Sequence, residues 1–430
     1  MDRLSSERER IDRIDEEMAR LFEERMAAAA RIAAWKREKG LPVRDEAREQ
    51  EVLARNTARI ADPAFRPHYS AILRRMMAES RSYQHALLEP EALSVRTAEG
   101  AYPIYLSPGA LGEAGTRFNL NRLVFIVTDE GVPVSYAQTL AAQCSRAELY
   151  TIPQGETSKT LSTLAALLEA MCRAGLTRSD CVAAVGGGVV GDLAGLAAAL
   201  YMRGIDFYNV PTTVLAMVDS AVGGKTAVNF SGVKNLIGSF WPPKGVLIDP
   251  RVLETLPARQ RSNGLAEAVK MALTHDPVLF ARFEDPQGCG PVEDLIAACL
   301  RIKRDVVEAD EREAGIRRVL NFGHTLGHGI EAAAGGKLLH GECVALGMLP
   351  MCAPTVRARL LPVLERLNLP VSLAGMEIAP ETVLAAAAHD KKAVEAGIQV
   401  VCVPQIGSYE FKTCSIQFLR ERLELLEAET

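Results

Sequence analysis

The sequence predicts a multidomain chain: an all-α module of three helices over residues 1–90, an α/β part with a largely parallel sheet over 94–256, and a mostly α-helical part over 257–430. Three changes of texture predict it. Residues 1–88 are charged, alanine-rich and almost free of glycine. From Leu93 to about Asp249, short β-branched runs alternate with helical stretches, the pattern of a sheet covered by helices. From Pro257 onward the helical pattern returns. At 430 residues the chain is long enough for two or three cores.

In the first part, Ile11, Ile14, Met18, Leu21, Ala28 and Ile32 recur at steps of three and four, which predicts an amphipathic helix from about Ser5 to Lys39. Gly40 and Pro42 stop it. A helix of that length cannot bury its stripe against itself, so it needs partners, a second copy of the chain among them. Two more helices are expected over 45–60 and 64–88, broken at Asp62–Pro63, and Glu89–Pro90–Glu91 reads as a linker. Strands are expected at Leu123–Thr128, Cys181–Val185, Phe207–Val210 and Val246–Ile248.

Composition narrows the function classes. A net charge of -5 argues against nucleic acid or an anionic membrane as partner. The apolar stretch near 193–202 ends at Arg203 and is too short to span a bilayer, which takes about 20 residues. The opening MDRLSSERER has no apolar core and predicts no signal peptide. Nine cysteines form no CxxC pair, which fits reduced thiols and a cytoplasmic location. A metal would then have to be held by His and carboxylate.

The helical module carries an anion-binding pattern. Arg25 falls where the apolar stripe calls for a hydrophobe. Lys36 lies on nearly the same line of the helix, about 16 Å further on. Arg8 is about 25 Å from Arg25, so it can reach the same small ligand only from a second subunit. Asp45, Arg48 and Glu49 share one face of the second helix, and Ser80 and Gln84 one face of the third. An isolated charge on a helix is usually solvated; Arg25 is different because burying an unpaired guanidinium is costly.

These residues, with PVRD at 42–45, resemble the all-helical chorismate mutases over the whole of 1–88. Arg8, Arg25, Lys36, Asp45, Arg48, Glu49, Ser80 and Gln84 all match that family's active-site positions. The resemblance implies rearrangement of chorismate to prephenate, a reaction that needs positioning and electrostatics but no general base. It implies that Arg25 and the other subunit's Arg8 bind the two carboxylates. Lys36 and Gln84 would face the ether oxygen, and Glu49 the ring hydroxyl. A non-catalytic sensor or dimerisation module would need the same arginines, and that reading stays open.

In the α/β part, CVAAV runs into Gly186–Gly187–Gly188 and then VVGDLAGLAAAL, a strand, a glycine turn and a helix. Such a turn lets backbone N–H groups approach a pyrophosphate, although its spacing is not GxGxxG. Asp129 ends an apolar strand, and the runs 154–159 and 211–213 add polar groups at element ends. This set resembles the nucleotide domain shared by dehydroquinate synthases and iron-type alcohol or glycerol dehydrogenases. By that resemblance Asp129, Glu156, Lys159, Gly187, Gly188, Val189, Asp192, Thr212, Thr213, Asp219, Lys234, Asn235 and Thr255 contact NAD. Gly131 stands where some relatives carry Asn.

The third part holds His324, His328 and His340 close together, in NFGHTLGH and LLHGE, with Glu267 in the apolar context NGLAEAVK. Imidazoles and one carboxylate suit a zinc site that keeps a position open for substrate. Lys225, Lys234, Asn235, Lys270, Lys303, Arg317 and the pair Lys391–Lys392 add positive charge, several of them flanked by glycine or apolar residues; a phosphorylated anionic substrate fits them.

GGGVVGD, PTTVLAMVDSAVGGKTAVN, KNLIG, NGLAEAVK and NFGHTLGHGIE through LHGE resemble 3-dehydroquinate synthase over nearly all of 94–430. The resemblance implies zinc, with cobalt possible, on Glu267, His324 and His340. It places Asp219, Lys225, Asn235, Lys270, Lys303, Glu313, Arg317, Asn321, His328 and one of Lys391 and Lys392 around the substrate, with Arg203 lent across a homodimer. The implied reaction converts 3-deoxy-D-arabino-heptulosonate 7-phosphate to 3-dehydroquinate and phosphate, a lyase step of the shikimate pathway to aromatic amino acids, with NAD recycled. Another sugar-phosphate cyclase, or an iron-type dehydrogenase with net redox turnover, is the alternative.

Overall fold

The computed structural model describes residues 3–39, 46–88, 93–98, 100–387 and 397–427. Asp45, Lys391 and Lys392 lie outside the described residues. The chain divides into two compact units, Met1–Ala92 and Leu93–Thr430.

The first unit is three helices: α1 (Arg3–Lys39), α2 (Glu46–Ala58) and α3 (Arg66–Leu88). Between α2 and α3, the Asp62 side chain accepts from Ala64 N and caps a single turn over Pro63–Phe65. This is the break expected at Asp62–Pro63. α1 packs on α3, and Ala29 and Ala33 of the one and Leu73 and Met77 of the other are buried. The larger stripe of Ile11, Ile14, Met18, Leu21 and Ile32 remains exposed. One copy of the module therefore satisfies only its alanine face.

The second unit opens with the antiparallel pair β1 (Leu93–Thr97) and β2 (Gly100–Leu106). A short helix α4 (Ala114–Arg117) leads to β3 (Leu123–Asp129), α5 (Val134–Ala141), β4 (Arg146–Ile152), α6 (Leu161–Arg173), β5 (Cys181–Gly186), α7 (Gly188–Leu200) and β6 (Asp206–Pro211). A π-helical turn over Ala216–Ser220 precedes the hairpin β7 (Lys225–Phe230) and β8 (Val233–Phe240), and β9 (Gly245–Ile248) ends this part.

The seven-stranded sheet has the order β1-β2-β9-β6-β5-β3-β4 and is parallel from β2 to β4. Its central strands are buried on both faces, as parallel sheets are. Val124, Ile126, Ala183 and Val185 join the core shared with the helical part. Phe125, Val127, Val182 and Ala184 pack on the other face against Leu164, Leu167 and Leu193 of α6 and α7. The chain turns back between β3 and β5, so their carboxyl ends, Asp129 and Gly186, flank the crevice where open α/β sheets take ligands.

The remaining helices are α8 (Ala258–His275), α9 (Pro277–Glu284), α10 (Val292–Ala309), α11 (His324–Ala334), α12 (His340–Met348), α13 (Pro354–Arg366) and α14 (Pro380–Ala387), with a last helix over Ile416–Glu424. Between α14 and that helix lies an antiparallel hairpin, β10 (Ile398–Cys402) and β11 (Glu410–Cys414), which the helical texture of this region concealed. Among the described residues, no helix is long and apolar enough to cross a membrane, and all nine cysteines stand unpaired.

Candidate active site

Three helices bring the metal candidates together. α8 presents Glu267 from a wholly buried stretch. α11 starts at His324, straight after Gly323 in the left-handed region, and carries His328 one turn later. α12 starts at His340. The start of α12 is pinned to α8: Gly341 N donates to Asn263 Oδ1 at 2.6 Å, and Arg259 grips both oxygens of Glu342 at 2.7 and 2.8 Å. A Cβ at position 341 would run into the Asn263 carbonyl, so only glycine permits this approach.

The nitrogens of His324, His328 and His340 come within 4.8 Å of one another. Glu267 Oε1 lies 3.7 Å from His324 Nε2 and 3.4 Å from His340 Nε2. Both Glu267 oxygens are buried with no hydrogen-bond partner, although Lys270 one turn on forms an ion pair with Oε2. A buried carboxylate held by one lysine and facing a cluster of imidazole nitrogens is a donor set suited to a divalent ion. Phe322 O can only accept, so His324 Nδ1, 3.1 Å away, carries the proton and Nε2 is left as donor to a metal.

His324 and Glu267 hold the charge states that chemistry needs, while His340 must give up a proton to become a ligand. Burial, followed by the nearby Lys270, holds His324 well below the usual imidazole range. Burial and the neighbouring His340 lower His328 to about 4. Burial opposes ionisation of Glu267, but the attraction of Lys270, His340 and His324 outweighs it and keeps the carboxylate well below its ordinary value. His340 is raised to about 9: burial works against the charged ring, and the pull of Glu267 and Glu331 overcomes it.

Beside this cluster lies a floor of paired charges. Lys303 Nζ is 2.5 Å from Asp219 Oδ1, which the π-helical turn turns inward. Lys225 pairs with Glu313, whose other oxygen accepts from Asn321 Nδ2 at 2.6 Å. Arg317 is buried, donating to the Glu311 and Gly223 carbonyls, while its Nε has no partner. Gly223 has φ 105° and a Cβ there would strike the guanidinium, so glycine admits Arg317. Burial lowers the pKa of Lys303 and of Arg317.

At the crevice, Gly187 caps α7 without any side-chain bond, leaving amide N–H groups for an anion. A Cβ at Gly187 would meet Thr213 at 3.3 Å and one at Gly188 would meet Ser220 at 3.1 Å. Val189 follows in the same first turn. Lys159 pairs with Asp192 and donates to Asn235 Oδ1, each at 2.5 Å. Asn229 links Asn235 N at 2.9 Å to Glu156 at 2.8 Å. Thr212 is buried just past β6, Thr213 Oγ1 accepts from Ala216 N, and Thr255 Oγ1 lies 2.9 Å from the Tyr136 hydroxyl. Asp129 Oδ1 accepts from Gly131 N at 2.8 Å. A Cβ at Gly131 would fall on the Gln154 amide, so Gln154 fills the room that an Asn there would use.

Lys234 does not join the Lys159 group; it pairs with Glu331 at 2.7 Å. Arg203 is exposed beyond α7, at φ 67° next to Met202 at φ 49°.

In the helical unit, Arg25 is half-buried, with Nη1 3.4 Å from Met76 O, and burial lowers its pKa with Tyr69 partly offsetting the effect. Lys36 and Glu49 are half-buried, Ser80 is buried, and Arg8 and Arg48 are exposed, Arg48 pairing with Glu51 at 2.6 Å. Gln84 belongs to α3.

Residues 149–263 match the 3-dehydroquinate synthase N-terminal family and residues 264–393 the 3-dehydroquinate synthase C-terminal family. The chain is 41% identical over 362 residues to the 3-dehydroquinate synthase of Geobacter metallireducens, covering 78% of this chain and 98% of that one. It belongs to the 3-dehydroquinate synthase family. Residues 7–85 match chorismate mutase type II, so the chain joins a mutase module to a synthase. The synthase part is similar to the crystal structure of 2-deoxy-scyllo-inosose synthase complexed with carbaglucose-6-phosphate, NAD+ and Co2+, with a TM-score of 0.71 and 26% identity over 78% of this chain and 99% of that one. It is also similar to 2-epi-5-epi-valiolone synthase from Streptomyces hygroscopicus with NAD+ and Zn2+ bound, with a TM-score of 0.69 and 30% identity over 76% and 96%.

Two groups of this synthase site escaped the reading of the sequence. Asn263 and Glu331 both sit inside the strings NGLAEAVK and NFGHTLGHGIE. The available signal for Glu331 was its spacing of seven from His324, which returns to the same helix face.

Proposed function

We propose that this chain converts 3-deoxy-D-arabino-heptulosonate 7-phosphate to 3-dehydroquinate and phosphate with NAD and a zinc ion, and that its first module turns chorismate into prephenate. The observation that carries the synthase reading is the buried Glu267 carboxylate facing His324 and His340 beside the Lys225, Lys303 and Arg317 floor. Bound NAD supplies a hydride acceptor that later gives the hydride back, and the metal supplies a Lewis acid for a substrate oxygen. Glu267, His324 and His340 would hold the ion, and the uncapped start of α7 with Asp129 and Thr255 would hold the nucleotide.

The chain's own groups then bind and orient the substrate. Arg317 and Lys303 take the carboxylate, Lys225 and the partner-lent Arg203 the phosphate, and Lys270 a hydroxyl. Glu313 and Asp219 fix the cations. His328 and Asn235 would assist proton transfers. A dehydrogenase with net turnover, or a cyclase of neutral sugars, needs no carboxylate site, and Arg317 argues against both.

The functional division of the second unit is placed at 256/257, nucleotide side first and metal side second. The exposed α1 stripe and the reach required of Arg8 support a homodimer, and nine unpaired thiols support a cytoplasmic location. The test is an assay of phosphate release from the heptulosonate phosphate with and without chelator. Turnover by metal-free protein, or NADH accumulating with product, counts against this reading.

A further inference from the structure

Glu331 stands at a junction that nothing above uses. It lies on α11, two turns from His324, with its side chain 10% exposed. One oxygen, Oε2, is 3.4 Å from His340 Nδ1; the other, Oε1, is 2.7 Å from Lys234 Nζ on β8. The Nε2 of the same His340 ring points to Glu267 at 3.4 Å. The ring is therefore held at both edges, by Glu331 on one side and by the metal cluster on the other.

An imidazole ligand has two orientations and two tautomers, and one hydrogen bond at the far nitrogen selects among them. A carboxylate at Nδ1 keeps the proton there, so that the proton a metal displaces is the one on Nε2, and it raises the basicity of Nε2 as a donor. Lys234 in turn holds the second Glu331 oxygen at 2.7 Å, which opposes rotation of the carboxylate. Lys234 adjoins Asn235, which Lys159 contacts at 2.5 Å, and Lys159 pairs with Asp192 of the nucleotide turn. The arrangement ties His340 to the hairpin that flanks the nucleotide crevice.

We propose that Glu331 is a positioning residue for the metal: held by Lys234, it fixes the His340 ring with Nε2 toward Glu267 and His324. This rests on the metal reading given above and adds a residue that is not itself a ligand.

The test is metal affinity and ligand geometry in the full chain, by chelator competition with zinc and by the visible absorption of the cobalt-substituted protein. Loss of such an outer partner costs about 10–100-fold in metal affinity. Glu331→Ala should approach the upper figure and Glu331→Gln the lower, because its amide oxygen still accepts from Nδ1 but carries no charge. Both should shift the cobalt bands. Should Glu331→Ala fail to fold, Glu331→Gln alone decides. Wild-type affinity and an unchanged cobalt spectrum overturn the proposal, whatever happens to the melting temperature. Two controls separate this from the reading beneath it: if the wild-type chain takes up no metal, or His340→Ala binds it as well as wild type, the metal site itself is wrong.

Discussion

Lys303 Nζ lies 2.5 Å from Asp219 Oδ1, and this contact joins α10 to the π-helical turn that follows β6. The lysine side chain is 7% exposed and the aspartate 22%. Removing one partner of a fully buried pair costs about 3–5 kcal/mol, because a charge stays behind without compensation. Asp219→Asn strands the lysine and should fall near the lower end of that range, given the partial exposure of Asp219. Lys303→Met strands the Asp219 carboxylate instead, which at 22% exposed keeps more of its hydration, and should cost less. Urea unfolding measures both, and a larger loss in Lys303→Met would mean that the lysine stem, not its charge, matters.

Zinc and catalysis should disappear together in His324→Ala. Its Nε2 faces Glu267, and the Phe322 carbonyl fixes its tautomer. Metal analysis of the purified variant and release of phosphate are the two readouts. Retention of the metal with activity lost would move His324 from ligand to another role.

Lys225 should impose a fall in substrate affinity at alkaline pH. Its side chain is 48% exposed, so the amine titrates at the rim; enclosure of the amine end and repulsion by Arg317 and Lys303 lower it to about 8. Below that pH the ammonium attracts the substrate phosphate, and above it the charge is gone. A phosphate monoester is already dianionic there, its second pKa being about 6, so KM should rise as pH passes 8. Lys225→Arg stays charged throughout and should flatten that rise. An unchanged pH profile in the arginine variant would assign the effect elsewhere.

Substrate choice should rest on Arg317. Charge-assisted hydrogen bonds are worth about 1.5–3 kcal/mol each, so Arg317→Ala should lower kcat/KM by about tenfold or more. Sedoheptulose 7-phosphate lacks the carboxylate and should be a poor substrate for wild type. Equal cyclisation of both sugars would mean a cyclase of another specificity.

The residues that the structure brings together at the candidate site stand in short strings of the sequence. Glu267, His324 and His340 were readable since no thiolate pair competed and the imidazoles fell close in sequence. The strands were readable because a sheet buried on both faces demands β-branched runs such as Leu123–Asp129. The hairpin β10–β11 was not, since its two short strands alternate too briefly to stand out from helical neighbours. Glu331 and Asn263 were hidden for another reason: a residue that orients a ligand has no chemistry of its own to betray it. The relation of Lys234 to Glu331 lies across α/β and helical parts, which no local pattern reports.

The mutase module should work, and its site should be shared. Arg25 is half-buried in the first unit with a single long bond to a carbonyl, so it retains donors for a carboxylate. The large residues of α1 remain exposed in one copy, and an apolar stripe of that extent calls for a second helix. A second copy across that stripe also brings its Arg8 within reach of a ligand at Arg25, which a single helix cannot do over about 25 Å. Because the rearrangement is driven by electrostatics and positioning, Lys36→Ala and Gln84→Ala should cut kcat by at least about tenfold and leave the helical content intact, while Arg8→Ala should act mainly on KM. The loss of chorismate absorbance by the full chain measures each. Mixing Arg8→Ala with Arg25→Ala chains under exchange should restore part of the activity, since half of the mixed sites then hold both arginines. No recovery, with exchange shown to occur, would mean that each site is built within one chain; and a wild-type chain that leaves chorismate untouched while prephenate alters the synthase rate would make the module a sensor.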